Sequence, residues 1–385
     1  MQQLRLHRHV KIVSTIGPAS NTSEVLRNML EAGLDIARFN MNYGTLEEHS
    51  KLISEIRSLS AEMGLTTGIL LDLPGSKRFS GDTGALFGKH LEFAVSQEAD
   101  FIALSFLSSS RQIVEVKKML EEMKSSIPII VKIERAPALV ESDSMLAASH
   151  GMMVARGDLA LDINIEKVPM AQKRLVSEAN RKGKPVITAT QMLESMVRNP
   201  GPTRAEATDV ANAVLDGSDA LMLSEETAIG KYPVEAIVMM SKIIMEAQAA
   251  FPFGDVLKDS RHDTLPEIND ATAKASCLIA HQIDAKAIVV FTSGGTTAQR
   301  VSKYRPHQPI IALTPFETTR RRLSLLWGVV PVTKVDAADI DQIFEHAEEA
   351  ALESGAAVKG DLIVITAGLP LSVSGSTNLV KVHKV

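Results

Sequence analysis

The sequence is poor in cysteine, in aromatic residues and in long apolar runs. Of 385 residues only Cys277 is a cysteine, and Phe, Trp and Tyr together make up 4%. A single cysteine excludes an internal disulfide framework and is typical of a reducing compartment. No apolar run approaches the roughly 18 residues of a membrane span, and Met1–His9 is polar without the apolar core of a signal peptide. These absences predict a cytoplasmic protein.

Strong charge of either sign is also missing. The 41 Lys and Arg residues nearly balance the 46 Asp and Glu residues, which leaves a net charge of −5. Such a chain lacks the basic surface that binds nucleic acid or an anionic membrane, so neither is expected as the main partner. A hydrophobic content of 45% is ordinary for a globular protein. The length is sufficient for two or three domains.

Short apolar runs that end in polar residues recur along the first two thirds of the chain. Between Pro128 and Thr227 the runs are Ile129–Val131, Met152–Val154, Val186–Ile187 and Ala220–Leu223. Four earlier candidates are Ile12–Val13, Ile36–Ala37, Gly68–Leu71 and Phe101–Leu104. Runs of this kind, separated by helical segments, indicate parallel strands buried on both faces. Eight such repeats predict a (β/α)₈ TIM barrel.

The rest of the chain is predicted to form a smaller α/β domain. We expect the barrel over residues 1–250, a linker over 251–266 and the C-terminal domain over 267–385. Pro252, Gly254 and Pro266 give the linker its composition. The strand candidates beyond it are Ala287–Phe291, Ile310–Leu313, Val330–Val332, Leu362–Ile365 and Val380–Val382.

Residues with chemical potential follow the strands of the predicted barrel, where barrel enzymes place their active sites. Lys132 and Glu134 follow one run, Asp158 the next and Thr190 the third. Two carboxylates that share an apolar-walled mouth repel each other unless a positive charge lies between them, so Glu134 and Asp158 suggest a divalent ion. Their oxygens suit Mg²⁺, and Lys132 would stabilise negative charge on the substrate. Alternatively, Lys132–Glu134 and Arg156–Asp158 are ordinary ion pairs at the barrel rim.

The motifs in this region resemble those of the pyruvate kinase family. They read KIER, VARGDL, ATQMLESM, PTRAEATDVANAVLDG and LSEET. The resemblance implies that Lys132 faces the phosphoryl and enolate oxygens, and that Glu134 and Asp158 hold Mg²⁺ or Mn²⁺. It also implies that Thr190 lies beside the methyl group that gains a proton. The substrate-binding residues implied in the same way are Ala155, Arg156, Gly157, Asp158 and Thr190.

The N-terminal segments STIGPAS and ARFNMNYG extend the resemblance with some departures. They imply that Thr15, Pro18 and Arg38 contact a nucleotide, with Arg38 also catalytic. A monovalent cation, K⁺ in the family, is implied at Asn40, Asn42 and Asp72. Asn42 replaces the serine of the family pattern, Tyr43 replaces its histidine, and the cation site is also altered at Leu73.

The segment after the third strand departs furthest from the family. Family members usually insert a separate lid domain here, with a lysine over the nucleotide phosphates. In this chain Gly81–His90 is expected to be an ordinary βα loop with its tip at Asp82–Gly88, leading into a helix around Leu91–Val95. The family's arginine position is Phe79, with Arg78 one residue earlier, and in an extended segment such a shift turns the side chain to the opposite face.

Two further segments suggest ligands or partners. A possible effector-phosphate loop consists of Thr292, Ser293, Gly294, Gly295, Thr296 and Thr297. Glycines and hydroxyls before a helix can form a phosphate nest, although they also serve turn geometry alone. Pro202–Gly217 resembles the family helix that packs barrel against barrel, which implies a homodimer or homotetramer.

The sequence leaves three functional hypotheses open. The first is a Mg²⁺-dependent transferase that moves a phosphoryl group between phosphoenolpyruvate and ADP or ATP, as in glycolysis. The second is a lyase or aldolase that acts on a 2-oxo acid through the same enolate without a nucleotide. The third is a metabolite-sensing pseudoenzyme. Lys132, Glu134, Asp158 and Thr190 argue against the third, since binding alone needs no hydroxyl for proton relay.

Overall fold

The computed structural model describes residues 2–75, 81–258, 267–334, 337, 339–370 and 376–385. The chain divides into two compact units. One, the barrel unit, comprises residues 11–179 and 184–247; the other, the C-terminal unit, comprises the residues up to Val10, 180–183 and 248–385. Leu6 belongs to a hydrophobic core of the C-terminal unit, and Gly328 N donates to His9 O at 2.9 Å. Through these contacts the described N-terminal residues up to Val10 belong to the C-terminal unit.

The barrel unit is the predicted closed barrel of eight parallel strands in sequential order. Its strands are β1 (Lys11–Thr15), β2 (Ile36–Asn40), β3 (Gly68–Leu73), β4 (Phe101–Leu104), β5 (Ile129–Ile133), β6 (Gly151–Ala155), β7 (Val186–Ala189) and β8 (Ala220–Leu223). Pairing of Lys11 with Ala220 closes the barrel between β1 and β8. Nearly every strand residue is buried, which explains why the strands read as continuous apolar runs.

Helices follow the strands around the barrel. They are α1 (Gln2–His7), α2 (Ser23–Ala32), α3 (Leu46–Glu62), α4 (Gly81–Ser96), α5 (Ser110–Glu122), α6 (Ala136–Val140), α7 (Ser142–Ala148), α8 (Arg156–Asp162), α9 (Val168–Arg181), α10 (Arg204–Leu215), α11 (Glu225–Ala228) and α12 (Pro233–Ala249), of which α1 lies in the C-terminal unit. Thr45 and Thr203 begin α3 and α10 with capping boxes that pair with Glu48 and Glu206. In the described ranges no helix is both long and apolar enough to cross a bilayer.

The connection after β3 differs from the predicted loop. Gly81–His90 belongs to α4, so the expectation of a loop with a tip at Asp82–Gly88 is wrong. Phe87, Leu91 and Ala94 are buried, and this helical spacing packs one face of α4 on the barrel unit. The glycines in the segment obscured the helix, because glycine disfavours helix interiors. Residues 74–80 alone separate the strand from α4, too few for a lid domain; Arg78 and Phe79 lie outside the described residues.

The C-terminal unit contains a five-stranded sheet in the order β11–β10–β9–β12–β13. Its strands are β9 (Ala287–Phe291), β10 (Ile310–Thr314), β11 (Val329–Thr333), β12 (Leu362–Gly368) and β13 (Thr377–Lys384). Only the pairing of β12 with β13 is antiparallel. Its helices after α12 are α13 (Phe253–Lys258), α14 (Ile268–Gln282), α15 (Thr296–Lys303), α16 (Glu317–Leu323) and α17 (Ile340–Glu353). The predicted linker thus begins with a short helix, and its residues 259–266 lie outside the described part.

Candidate active site

A cavity of about 860 Å³ opens at the carboxyl ends of the barrel strands. Its lining includes eight of the predicted site residues, namely Thr15, Pro18, Arg38, Asn40, Lys132, Ala155, Asp158 and Thr190. Three of these were expected to contact a nucleotide, four a substrate, and Asn40 a monovalent cation. Because the βα connections converge at this end of the barrel, residues far apart in the chain share one space.

Asp72, at the end of β3, is the centre of a buried ion network. Arg38 donates to its Oδ2 from Nη2 at 2.6 Å and from Nε at 3.0 Å. Lys132 Nζ lies 3.2 Å from the same oxygen and 3.3 Å from Oδ1. Burial acts to raise the pKa of Asp72, but the charges of Lys132 and Arg38 outweigh it and hold that pKa below its ordinary value. Asp72 is therefore an ionised counter-charge for two cations.

Ser105 is part of this network, although no role for it was predicted. Lys132 Nζ donates to Ser105 Oγ at 2.8 Å, and the hydroxyl donates to Asp72 Oδ1 at 3.0 Å. Ser105 directly follows β4. The strand-end rule that selected Lys132 could have selected this serine as well. Its hydroxyl fixes the direction in which the ammonium group points.

Glu134 is fully buried and only partly compensated. Its Oε1 accepts a short hydrogen bond from Phe106 N–H. Its Oε2 lies 3.4 Å from Lys132 Nζ and accepts no hydrogen bond from the residues that the structure describes. Burial raises the pKa of Glu134, Lys132 and the Phe106 N–H oppose that rise, and the charges of Asp158 and Asp72 add to it, so that the pKa is raised. The negative charge of Glu134 is therefore not fully compensated by positive charge nearby.

The residues present fit a divalent ion. Asp158, in the first turn of α8, is exposed and lines the cavity. The charge of Asp158 contributes to the raised pKa of Glu134, so the two carboxylates are close enough to interact electrostatically. Across the described ranges no group of three or more His, Cys, Asp or Glu residues could hold a metal. A Mg²⁺ ion held by these two carboxylates would take its other ligands from water and substrate, as is usual for this ion.

The side chain of Arg156, which the resemblance implies for substrate binding, contacts other protein groups. Its Nη1 pairs with Asp209 Oδ1 on α10 at 2.7 Å, and its Nη2 donates to Thr190 O at 2.7 Å. The guanidinium is thus engaged by protein groups, and within the described part of the chain it pairs with Asp209 and not with Asp158. Of the two rim ion pairs considered from the sequence, only Lys132–Glu134 forms.

Thr190 has an unusual backbone and a fixed hydroxyl. Its φ is +73°, and that of Gln191 is +55°. The Thr190 hydroxyl accepts from Gly157 N–H at 2.7 Å and donates to Ala189 O at 2.6 Å. Ala155, at the end of β6, lines the same cavity. The strand ends of β6 and β7 are therefore joined through the threonine that the sequence placed beside the reacting carbon.

The end of the cavity that is predicted to bind a nucleotide is closely packed at its base and open at its rim. Thr15 Oγ1 accepts from Arg38 Nη1 at 2.7 Å and donates to Leu223 O at 3.0 Å. Beside Pro18, a Cβ on Gly17 would lie 2.7 Å from Ala228 O, so only glycine allows this approach. Tyr43 is 73% exposed at the rim.

The residues predicted for a monovalent cation are already engaged. Asn40 Oδ1 accepts from Asn42 N at 3.2 Å and from Asn42 Nδ2 at 3.0 Å. Asp72 accepts from Arg38 and Lys132. A cation at this position would have to compete with these donors, and the K⁺ site stays a prediction.

The predicted effector loop lies in the C-terminal unit between β9 and α15. Thr292 Oγ1 accepts from Gly295 N at 2.9 Å, and Thr297 Oγ1 is 2.7 Å from Thr377 Oγ1. These two hydroxyls serve the loop itself, whereas Ser293, Gly294 and Thr296 are exposed. Phosphate binding at this loop stays a prediction.

Comparison with known proteins gives consistent matches over both units. The family model described as pyruvate kinase, barrel domain, matches residues 7–85 and 87–237, and the model described as pyruvate kinase, alpha/beta domain, matches residues 270–383. Similar proteins include the pyruvate kinases of Staphylococcus epidermidis and Staphylococcus aureus. Each is 36% identical over 471 residues, an alignment that covers 98% of this chain and 80% of the relative. Since the aligned length exceeds 385 residues, part of each relative has no counterpart here.

Proposed function

The chain belongs to the pyruvate kinase family, and on that premise we propose that it transfers a phosphoryl group from phosphoenolpyruvate to a nucleoside diphosphate. The observation that carries this proposal is the single cavity at the barrel mouth. Lys132, Asp158 and Thr190 line it together with Thr15 and Arg38. A phosphoryl donor and its acceptor can therefore meet without leaving the site.

Lys132 stabilises the charge that develops on the enol oxygen as the phosphoryl group departs. Asp72 and Ser105 hold its ammonium group in place before the reaction begins. Preorganised charge in a site sheltered from water commonly contributes several kcal/mol, on the order of 3, to the barrier. Glu134 and Asp158 would hold Mg²⁺ or Mn²⁺, which supplies Lewis-acid stabilisation of the substrate oxygens.

Thr190 serves the second half of the reaction. The enolate of pyruvate takes a proton at its methylene carbon, and the Thr190 hydroxyl delivers it and regains one from water in the cavity. The Gly157 N–H holds the hydroxyl oxygen in position from the first turn of α8. The proton step is therefore separable from phosphoryl transfer, because different residues serve the two.

We expect phosphoryl transfer to the nucleotide to be slower in this protein than in a relative that has a lid domain. Thr15, Pro18 and Arg38 are available to the nucleotide, but residues 74–80 provide no lid domain. Without closure, water has access to the phosphoryl group and the acceptor is less well oriented. The same feature favours the second candidate, a lyase or aldolase that uses the enolate of a 2-oxo acid and no nucleotide.

Two assays on one preparation test the proposal. The first follows exchange of the pyruvate methyl protons with deuterium by NMR in the presence of Mg²⁺. The second follows ATP formation from phosphoenolpyruvate and ADP in a coupled assay. Both activities, with exchange the faster, are expected. Exchange without ATP overturns the phosphotransferase and supports the lyase, which a panel of aldehydes and oxo acids would then define. Absence of both, with oxalate still bound, supports the sensing pseudoenzyme.

A further inference from the structure

We infer that Arg156 is a positioning residue that holds Thr190 in a strained backbone conformation and so enables the proton step. The inference rests on the proposed function for the role of Thr190, but its structural part stands on its own. Substrate binding by Arg156 stays a prediction beside it. The contacts of four residues carry it: Arg156, Thr190, Gln172 and Asp209.

The backbone is strained at the end of β7. Thr190 and Gln191 both adopt positive φ, at +73° and +55°. For a β-branched residue this conformation is a true outlier, because the side chain crowds the backbone. Such conformations persist only where the surroundings fix them, and they are found preferentially at functional sites. Other residues must therefore hold the backbone at the carboxyl end of β7 in this conformation. We call the group that does so the clamp.

The clamp is the guanidinium group of Arg156. The Arg156 Nε donates to Ala189 O at 3.3 Å, and its Nη2 donates to Thr190 O at 2.7 Å. One planar guanidinium thus fixes two successive carbonyl groups, one on each side of Thr190 N–Cα. The rigid fork of arginine allows this, whereas the single ammonium group of lysine cannot reproduce it. The two carbonyls set the backbone torsions of Thr190.

The Arg156 guanidinium is itself held in place by side chains of α9 and α10. Arg156 Nη1 donates to Asp209 Oδ1 on α10 at 2.7 Å and to Gln172 Oε1 on α9 at 3.2 Å. Gln172 is in turn fixed, because its Nε2 donates to Asp216 Oδ2 at 2.9 Å. Arg156 and Gln172 are buried, at 9% and 4% exposure. The guanidinium is therefore held from two outer helices, and its fork cannot swing away from Thr190.

The consequence for chemistry follows from the Thr190 hydroxyl. At positive φ its oxygen meets the Gly157 N–H at 2.7 Å. If the backbone relaxed to negative φ, the side chain would turn away from Gly157 and from the reacting carbon. Lys132 and Asp72 make no contact with this clamp, so stabilisation of the enolate charge would survive. Loss of the clamp should thus remove proton delivery selectively.

Two variants and one control test the inference. Arg156→Lys keeps the charge but loses the fork, and Asp209→Asn is a milder change at a partly exposed anchor. In both we expect methyl exchange of pyruvate to fall by about 10-fold or more, since positioned general acids commonly contribute 10²-fold or more. The dissociation constant of oxalate with Mg²⁺ should stay within about 3-fold, because oxalate needs only the charge-stabilising groups. The control Arg27→Met removes an ion pair between two other outer helices, that with Glu62, and should leave exchange unchanged.

A fourth variant separates positioning from general stability. Thr190→Ser keeps the hydroxyl and removes the β-branch that opposes positive φ. In the Arg156→Lys background it should recover part of the lost exchange. Full exchange in both Arg156→Lys and Asp209→Asn overturns the inference, and so does a parallel loss of exchange, oxalate binding and thermal stability.

A structural measurement decides the case even if the wild-type protein shows no exchange, an outcome that would remove the proposed function. The crystal structure of Arg156→Lys should show residue 190 at negative φ with its hydroxyl away from Gly157 N. Retention of positive φ in that variant overturns the clamp.

Discussion

Lys132 Nζ lies 3.2 Å from Asp72 Oδ2, across the barrel mouth from one strand end to another. The pair joins β5 to β3, and Arg38 completes it from β2. The side chain of Asp72 is 1% exposed. Without Asp72, Arg38 would lose its carboxylate partner and Lys132 would keep Glu134, at 3.4 Å, as its ion-pair partner among the described residues. Asp72 is therefore the main counter-charge of this buried site.

Asp72→Asn tests that relationship. The change leaves Arg38 without its carboxylate partner and Lys132 with Glu134 alone, and breaking a buried pair commonly costs about 3 kcal/mol or more of folding free energy. Loss of the fixed ammonium group should also reduce methyl exchange by about 10²-fold. Denaturant unfolding and NMR exchange measure the two effects. Ser105→Ala is the comparison variant, because it removes two hydrogen bonds to charged groups but no charge, and it should cost less than Asp72→Asn. Equal effects for the two variants would contradict the role of Asp72.

The divalent ion is tested by calorimetry with oxalate, which imitates the enolate of pyruvate. Binding should require Mg²⁺ or Mn²⁺, and Glu134→Gln should abolish the metal dependence while leaving the fold intact. Glu134 is the sharper site for the test, since its Oε2 has no hydrogen-bond donor in the described structure. Oxalate binding that is indifferent to the metal would refute the assignment of Glu134 and Asp158.

The raised pKa of Glu134 predicts a pH dependence with a definite sign. Because the metal-free folded protein binds this proton more tightly than the unfolded chain does, stability is lost as pH rises from the ordinary glutamate pKa through the raised folded value. Glu134→Gln removes this titration. The difference in melting temperature between the variant and the wild type, both in chelator, should therefore shift in favour of the variant as pH rises through that window. A difference that is constant with pH would count against a buried, under-compensated carboxylate.

Strain at the end of β7 predicts a stabilising glycine. Gln191 is exposed and has a φ of +55°. Gln191→Gly should leave stability unchanged or raise it by up to about 1 kcal/mol, since glycine adopts this conformation without steric cost. Lys118→Gly, at an exposed position inside α5, should instead cost about 1 kcal/mol. Urea unfolding compares the two, and a comparable loss at both positions would contradict the strain.

Assembly is tested by light scattering. The outer helix α10 buries Val210, Ala213 and Val214 within the barrel unit, whereas Leu215 remains 42% exposed. The resemblance of this helix to one that packs barrels together predicts a homodimer or homotetramer, and Leu215→Glu should weaken it. Val358→Glu, at an exposed position of the C-terminal unit, is the control. A monomer at micromolar concentration would remove the prediction.

The sequence alone determined the barrel and its strand ends. Parallel strands buried on both faces must be continuous apolar runs, so their positions are written in the local pattern. The polar residue after each run then lies at the mouth, which is how Lys132, Glu134, Asp158 and Thr190 could be selected. Local pattern failed at α4, where glycines within Gly81–His90 masked a helix whose buried face becomes visible only when Phe87 and Leu91 pack.

Only the tertiary structure decided which charges compensate each other. Arg156 and Asp158 are two residues apart, yet Arg156 pairs with Asp209, and Lys132 pairs with Asp72. Sequence separation carries no information about such partners, because side-chain direction at a strand end depends on how the next strands and helices pack around it. The fold therefore gives Arg156 contacts with Thr190 and Asp209, and makes Asp72 the counter-charge of Lys132, neither of which the sequence predicts.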